Sequence, residues 1–348
     1  MNQLKLKHYA RLIKRQVLSG RGFNKNSFVK YKNYLKYRLC KKNEIIDWNN
    51  VAPIYTSLII TKRCNLNCSF CIVKDMIKEK TRDYDLSTAQ AEKIFQHTMI
   101  NKSLMMMLTG GEPLLNSNIL EIVKVAKSFG HLVGITTNAT LLPKYIDGLI
   151  DAGIDSISVS LYDSTMMVLQ DNLKKVAAKF PIRINKMIRK KDIADFTLVE
   201  NICSLARDTG CYGVYFQNMI PSDINEINDV IFEDNQQYFK VQRLINRKYG
   251  NQLLISWPGV VAKTIRGSRD KKCRMPWWLT VVDAQGNLGL CCRYQEGLYG
   301  NIFLDDAGTI KNDLNWRKVR GSLLSNSPDI PAECDNCYLL NDSYASNI

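Results

Sequence analysis

Thr61-Lys62-Arg63-Cys64-Asn65-Leu66-Asn67-Cys68-Ser69-Phe70-Cys71 is the stretch that decides how this chain is read. It follows Ile54 to Ile60, an apolar, β-branched run of the length and character of a buried strand. Three thiols, Cys64, Cys68 and Cys71, are thus predicted on one loop at the C-terminal end of that strand, spaced by three residues and then by two. Thiolates so close together bind a single soft metal centre. A structural zinc site asks for four ligands, and no fourth lies nearby: the histidines are His8, His97 and His131. Three thiolates suit an iron–sulfur cluster with one iron left open for a further ligand.

Outward from this loop, strand and helix patterns alternate as far as residue 250. Ser87 with Gln90 forms a capping-box signature for a helix running to about Met99. Strands are predicted at 104–108, 131–136, 154–161, 181–188 and 212–219, with helices at 118–129, 143–152, 164–179, 197–209 and 235–249. Six β-α units of about 25–30 residues imply a parallel sheet, and chemistry in such barrels gathers at the C-terminal strand ends. Three motifs fall there. Thr109-Gly110-Gly111-Glu112-Pro113 follows the second strand; its glycines let the backbone approach a ligand, and its carboxylate can accept from an ammonium group. Thr136 to Thr140, containing Asn138, follows the third strand. Ser158 to Asp163, containing Ser160, ends the fourth. On the fifth strand, alternation puts Arg183, Asn185 and Met187 on one face.

The C-terminal quarter holds a second thiol pattern. Cys273 precedes an apolar strand (279–282), a turn at 283–287 with Gly286 where positive φ is needed, and a returning strand that leads to Cys291-Cys292. A hairpin brings its two ends together, so Cys273 and Cys291 are candidates for one metal, with Cys334 and Cys337 completing four ligands. Four thiolates fit either a zinc ribbon or a fully ligated [4Fe–4S] cluster.

C-x3-C-x2-C with Phe70 before its last cysteine, followed one unit later by G-G-E-P, resembles the signature of the radical SAM superfamily. The resemblance implies a partial, TIM-like (β/α)6 barrel. It also implies a [4Fe–4S] cluster on Cys64, Cys68 and Cys71 whose open iron binds S-adenosylmethionine, and a reductant such as flavodoxin or ferredoxin. By that resemblance Phe70, Gly110, Gly111, Glu112, Pro113, Asn138 and Ser160 belong to the S-adenosylmethionine site. The C-terminal cysteines resemble the twitch form of the SPASM extension, which implies a second, auxiliary [4Fe–4S] cluster on Cys273, Cys291, Cys334 and Cys337. Three segments result: a basic helical extension at 1–50, a barrel at 51–250, and a small β-hairpin and helix auxiliary-cluster domain at 251–348.

Charge is uneven. The chain of 348 residues carries +15, of which residues 1–50 hold thirteen Lys/Arg against Glu44 and Asp47, or +11, leaving +4 for the rest. Phe28, Tyr31, Leu35 and Leu39 form an apolar stripe between Lys30, Lys32, Lys36 and Arg38, expected to pack on the barrel with the basic side solvated. The competing reading is a surface for an anionic partner, either a phosphorylated substrate or an acidic membrane; nothing matches a nucleic-acid motif. Clustered cysteines, with neither a signal peptide nor an apolar run of membrane-spanning length, point to a reducing cytoplasm. The first functional expectation is hydrogen abstraction from a carbinol carbon of a sugar, aminosugar or cyclitol, free or phosphate-, nucleotide- or lipid-linked. The outcome is oxidation, or epimerisation with Cys211 or Cys292 as hydrogen donor. The second is modification of a ribosomal peptide, and the third a non-catalytic cluster module on membrane or nucleic acid.

Overall fold

The computed structural model describes residues 25–43, 52–68, 71, 84–162, 166–194, 196–219, 228–260, 273–291, 299–325 and 334. One sheet runs through them: β1 (Tyr55–Thr61), β2 (Met105–Gly110), β3 (Leu132–Thr137), β4 (Ser156–Ser160), β5 (Ile182–Ile188), β6 (Gly213–Asn218), β7 (Leu254–Ser256), β8 (Leu279–Val282) and β9 (Leu288–Gly289). The spatial order is β7-β6-β5-β4-β3-β2-β1-β8-β9, every pair parallel except β8 with β9. Helices α2 (Thr88–Gln96), α3 (Ile119–Ser128), α4 (Leu142–Ala152), α5 (Met166–Ala177), α6 (Phe196–Asp208) and α7 (Gln236–Tyr249) fall between successive strands. The expected partial (β/α)6 barrel is therefore present.

Local signals account for the placement of these elements. Ser87 and Gln90 make both bonds of the capping box that opens α2, and α2 buries Ala91, Ile94 and Phe95 at helical spacing. The turn after β8 is built on Asp283, whose side chain accepts from the amides of Gln285 and Asn287, while Gly286 takes φ 83°. Two pairings lie beyond local signals. The three-residue β7 adds a seventh parallel strand to β6. β8 is in register with β1 from Tyr55–Leu279 to Leu58–Val282, and all four of its residues are buried, as in an internal strand. The C-terminal hairpin thus continues the sheet of the barrel.

Helix α1 (Lys25–Asn43) lies at the N-terminal end of β1 to β3, with its apolar stripe opposite to expectation. Its buried residues are Ser27, Lys30, Asn33 and Tyr37, whereas Phe28, Leu35 and Leu39 face solvent. Backbone groups at the barrel base explain this orientation. Asn33 Nδ2 donates to Ala52 O (3.0 Å) and Lys102 O (3.2 Å), and Asn33 Oδ1 accepts from Ala52 N. Ser27 Oγ and Lys30 Nζ donate to Gly130 O and Asn101 O. Turning the stripe inward would strand these buried groups at a cost of about 1–3 kcal/mol each. Residues 1–24 of the basic extension lie outside the described residues. No helix among those described is long and apolar enough to cross a membrane.

Candidate functional site

The loop after β1 carries Cys64, Cys68 and Cys71, each half-buried, and none of the eight described cysteines forms a disulfide. Burial pushes the Cys64 and Cys68 thiols up, reinforced by neighbouring thiols and, at Cys64, by Glu112. Holding Cys64 and Cys68 as thiolates therefore calls for a positive centre. Among the described residues no three His, Cys, Asp or Glu are grouped closely enough for a single metal ion.

The loop is braced from three sides. Arg63 pairs with Asp85 and donates to Leu115 O, and Asp85 accepts from Thr61 Oγ1. Asn65 exchanges side-chain hydrogen bonds with Asn138 and Thr140, both at 2.8 Å. The Gly-Gly turn lies directly on the loop: Gly111 N donates to Thr61 O (2.9 Å) and Glu112 N to Arg63 O (2.7 Å). A Cβ on Gly110 would meet Thr61 O at 2.1 Å, and one on Gly111 would meet Arg63 O at 2.1 Å. The glycines do serve close backbone approach, and what they approach is the backbone of the cysteine loop.

Glu112 is 1% exposed, and its carboxylate accepts from Thr137 Oγ1 (2.7 Å), Asn138 N (2.7 Å) and Leu114 N (3.1 Å). Three of about four acceptor positions are taken by the protein's own donors. Burial raises its pKa, opposed by these hydrogen bonds. Asn138 likewise spends its side chain on Asn65 and Thr140, with Ala139 at φ 62° behind it. Pro113 opens the short turn Pro113–Leu115. Ser160, at the end of β4, is partly exposed and bonds Tyr162. Tyr162 was not singled out by the sequence. Burial, and secondarily the Cys68, Cys71 and Cys64 thiols, push its hydroxyl up to about 12. Asn65, Arg63 and Asp85 were missed as well; only their proximity to the motif in sequence hinted at them.

On β5, Ile182, Ile184, Lys186 and Ile188 are buried, while Arg183, Asn185 and Met187 alternate with them and are part-exposed. Arg183 donates to Ser158 Oγ (3.0 Å) and lies over the Tyr215 ring (5.1 Å). Its Nε and the Oδ1 of Asn185, two residues along the same strand, are buried without a hydrogen-bond partner, and among the described residues no carboxylate pairs with the guanidinium.

Cys273, Cys334 and Cys291 gather in one small cluster with Val230, Met275, Leu279 and Leu323. Cys273 precedes β8, whose first residue is level with the start of β1, and Val230 brings in the segment that Asn218 at the end of β6 holds through Ile231. Cys337, Cys292 and Phe70 lie outside the described residues. Cys211 is corrected: it is buried in the main core at the start of β6, with Sγ 3.4 Å from Thr209 Oγ1. Burial pushes its thiol up to about 11. A thiol in this position has no access to the strand C-terminal ends and is withdrawn as a hydrogen donor.

Residues 58–203 match the radical SAM superfamily. Over 109 residues the chain is 34% identical to GTP 3′,8-cyclase of Chlorobaculum tepidum, covering 31% of this chain and 32% of that protein, so the match spans about a third of that relative's length. It is 25% identical over 291 residues to AdoMet-dependent heme synthase of Methanosarcina barkeri, covering 72% and 80%. Among solved structures, Streptococcus suis SuiB bound to S-adenosylmethionine superposes with a TM-score of 0.63 at 16% identity, over 87% of this chain and 74% of that one. That likeness concerns the fold.

Proposed function

Because residues 58–203 match the radical SAM superfamily, we propose that the chain is a dehydrogenase acting on a carbinol carbon of an anionic sugar, aminosugar or cyclitol. When bound, a [4Fe–4S] cluster and S-adenosylmethionine supply a 5′-deoxyadenosyl radical, which removes a hydrogen that no side chain can abstract. Cys64, Cys68 and Cys71 are the proposed cluster ligands. The Gly-Gly turn and Asn65 fix their loop, and Ser160 and Tyr162 wall the same end of the barrel. Glu112 and Asn138 position these elements, the remaining acceptor on Glu112 being the one available to an ammonium group. Cys273, Cys291, Cys334 and Cys337 are the proposed ligands of an auxiliary [4Fe–4S] cluster, which would accept the electron left on the substrate after hydrogen abstraction, the hydroxyl proton passing to water. Withdrawal of Cys211 favours oxidation over epimerisation, which would then depend on Cys292.

The observation that carries the substrate class is Arg183, a cation on β5 with a hydroxyl and a ring for neighbours and, among the described residues, no carboxylate. A guanidinium so placed binds a carboxylate or phosphate strongly. The relatives named GTP 3′,8-cyclase support an anionic, sugar-bearing substrate, although they match only part of this chain. Incubating the reconstituted protein with S-adenosylmethionine, a reductant such as flavodoxin or ferredoxin, and sugar phosphates deuterated at the carbinol carbon tests the reading. Deuterium should enter 5′-deoxyadenosine, and Arg183→Gln should raise KM by about tenfold or more. Deuterium uptake from a peptide, and from none of the sugars, would replace this reading with peptide modification.

A further inference from the structure

We infer that the outer face of α1 is a docking surface for an acidic lipid bilayer, independent of the chemistry in the barrel. Four of the seven exposed large apolar side chains among the described residues lie on this one helix: Phe28 (72% exposed), Val29 (43%), Leu35 (60%) and Leu39 (50%). Phe28, Leu35 and Leu39 are spaced by seven and four residues, which sets them on one stripe. Lys32, Lys36 and Arg38 are exposed beside it. An apolar stripe flanked by cations is the composition of a helix lying in a membrane interface.

The helix cannot hide this stripe by rotating. Its inner face is fixed by the hydrogen bonds of Ser27, Lys30 and Asn33 to backbone groups at the barrel base. Something else must cover it, and charge decides what. Residues 1–24 carry Lys5, Lys7, Arg11, Lys14, Arg15 and Arg21 and no acid, and a second copy brings a net charge of +15. Both repel a helix whose exposed charges are basic. Nucleic acid offers the opposite charge and no use for phenylalanine and leucine on a continuous stripe. Acidic headgroups over acyl chains complement both features. Since α1 sits at the N-terminal strand ends, a bilayer held there leaves the Cys64–Cys71 loop facing water. Substrate and reductant then arrive from solution, against a lipid-linked substrate.

The test is sedimentation of the full chain with phosphatidylcholine vesicles, with and without about one-third phosphatidylglycerol, at low and high salt. Wild type should sediment with acidic vesicles and not with neutral ones. A Phe28→Ser/Leu35→Ser/Leu39→Ser variant should lose about tenfold or more in partition with an unchanged unfolding midpoint. Lys32→Glu/Lys36→Glu should also lose binding, and it reports on the surface if the triple variant fails to fold. Wild type remaining in solution would overturn the proposal, as would undiminished binding by either variant. Binding lost on deletion of residues 1–24 but kept by both variants would assign the contact to that segment. Salt-sensitive binding to duplex DNA in place of vesicles would assign the face to nucleic acid.

Discussion

Gly111→Ala is expected to prevent iron loading at Cys64, Cys68 and Cys71 and to abolish S-adenosylmethionine cleavage. The added methyl would stand 2.1 Å from Arg63 O and 2.6 Å from Arg63 C. These are backbone atoms of the cysteine loop itself, and no rotamer change relieves the overlap. Either the loop moves, separating Cys64 from its partners, or the turn moves and breaks the Gly111–Thr61 and Glu112–Arg63 bonds. Overpacking against backbone together with lost buried hydrogen bonds should cost about 2–4 kcal/mol. Gly321→Ala in helix Leu314–Leu324 is the control, since nothing lies within 4 Å of its Cβ. It should gain about 0.5–1 kcal/mol and load iron normally. Iron content and an unfolding curve for each variant decide the matter; normal loading in Gly111→Ala would contradict the close approach.

Glu112→Gln should have the next largest effect. Thr137 Oγ1 and Leu114 N donate to one carboxylate oxygen and Asn138 N to the other. An amide retains only one oxygen, so at least one buried donor would face an N–H. The expected cost is about 1–3 kcal/mol, with a shift of the β2 and β3 ends that weakens S-adenosylmethionine binding by about tenfold or more. Burial raises the Glu112 pKa, and this fixes the sign with pH. The part of its stability that depends on ionisation is fully present below the ordinary carboxylate range and is lost as pH rises through the raised pKa. The deficit of the glutamine variant is therefore greatest in acid and shrinks toward neutrality. Unfolding midpoints across that range measure it; a deficit that grows with pH would show that hydrogen bonds to the charged form dominate.

The barrel was legible from sequence wherever the deciding physics is local. Capping at Ser87, the Gly286 turn and the alternation of Arg183, Asn185 and Met187 depend on residues a few positions apart, and each is as expected. The Gly-Gly turn was read as approaching a ligand, whereas its approach to the Thr61 and Arg63 backbone is fixed only by the β1–β2 register. Which way α1 faces was not legible. Periodicity reveals a stripe, whereas its direction was set by carbonyls of Asn101, Lys102 and Gly130, distant in sequence. The β8–β1 pairing, the effect of the cysteine-loop thiols on Tyr162 and the burial of Cys211 depend on tertiary placement in the same way.

Iron and sulfide content after anaerobic reconstitution, with 5′-deoxyadenosine assayed alongside, tests the central claim most directly. It is made on wild type and on a Cys64→Ala/Cys68→Ala/Cys71→Ala variant. The account predicts about eight irons in wild type, about four in the variant, and 5′-deoxyadenosine formed only by the former. Wild type with no iron, or a variant that keeps the full iron complement and still makes 5′-deoxyadenosine, would contradict it.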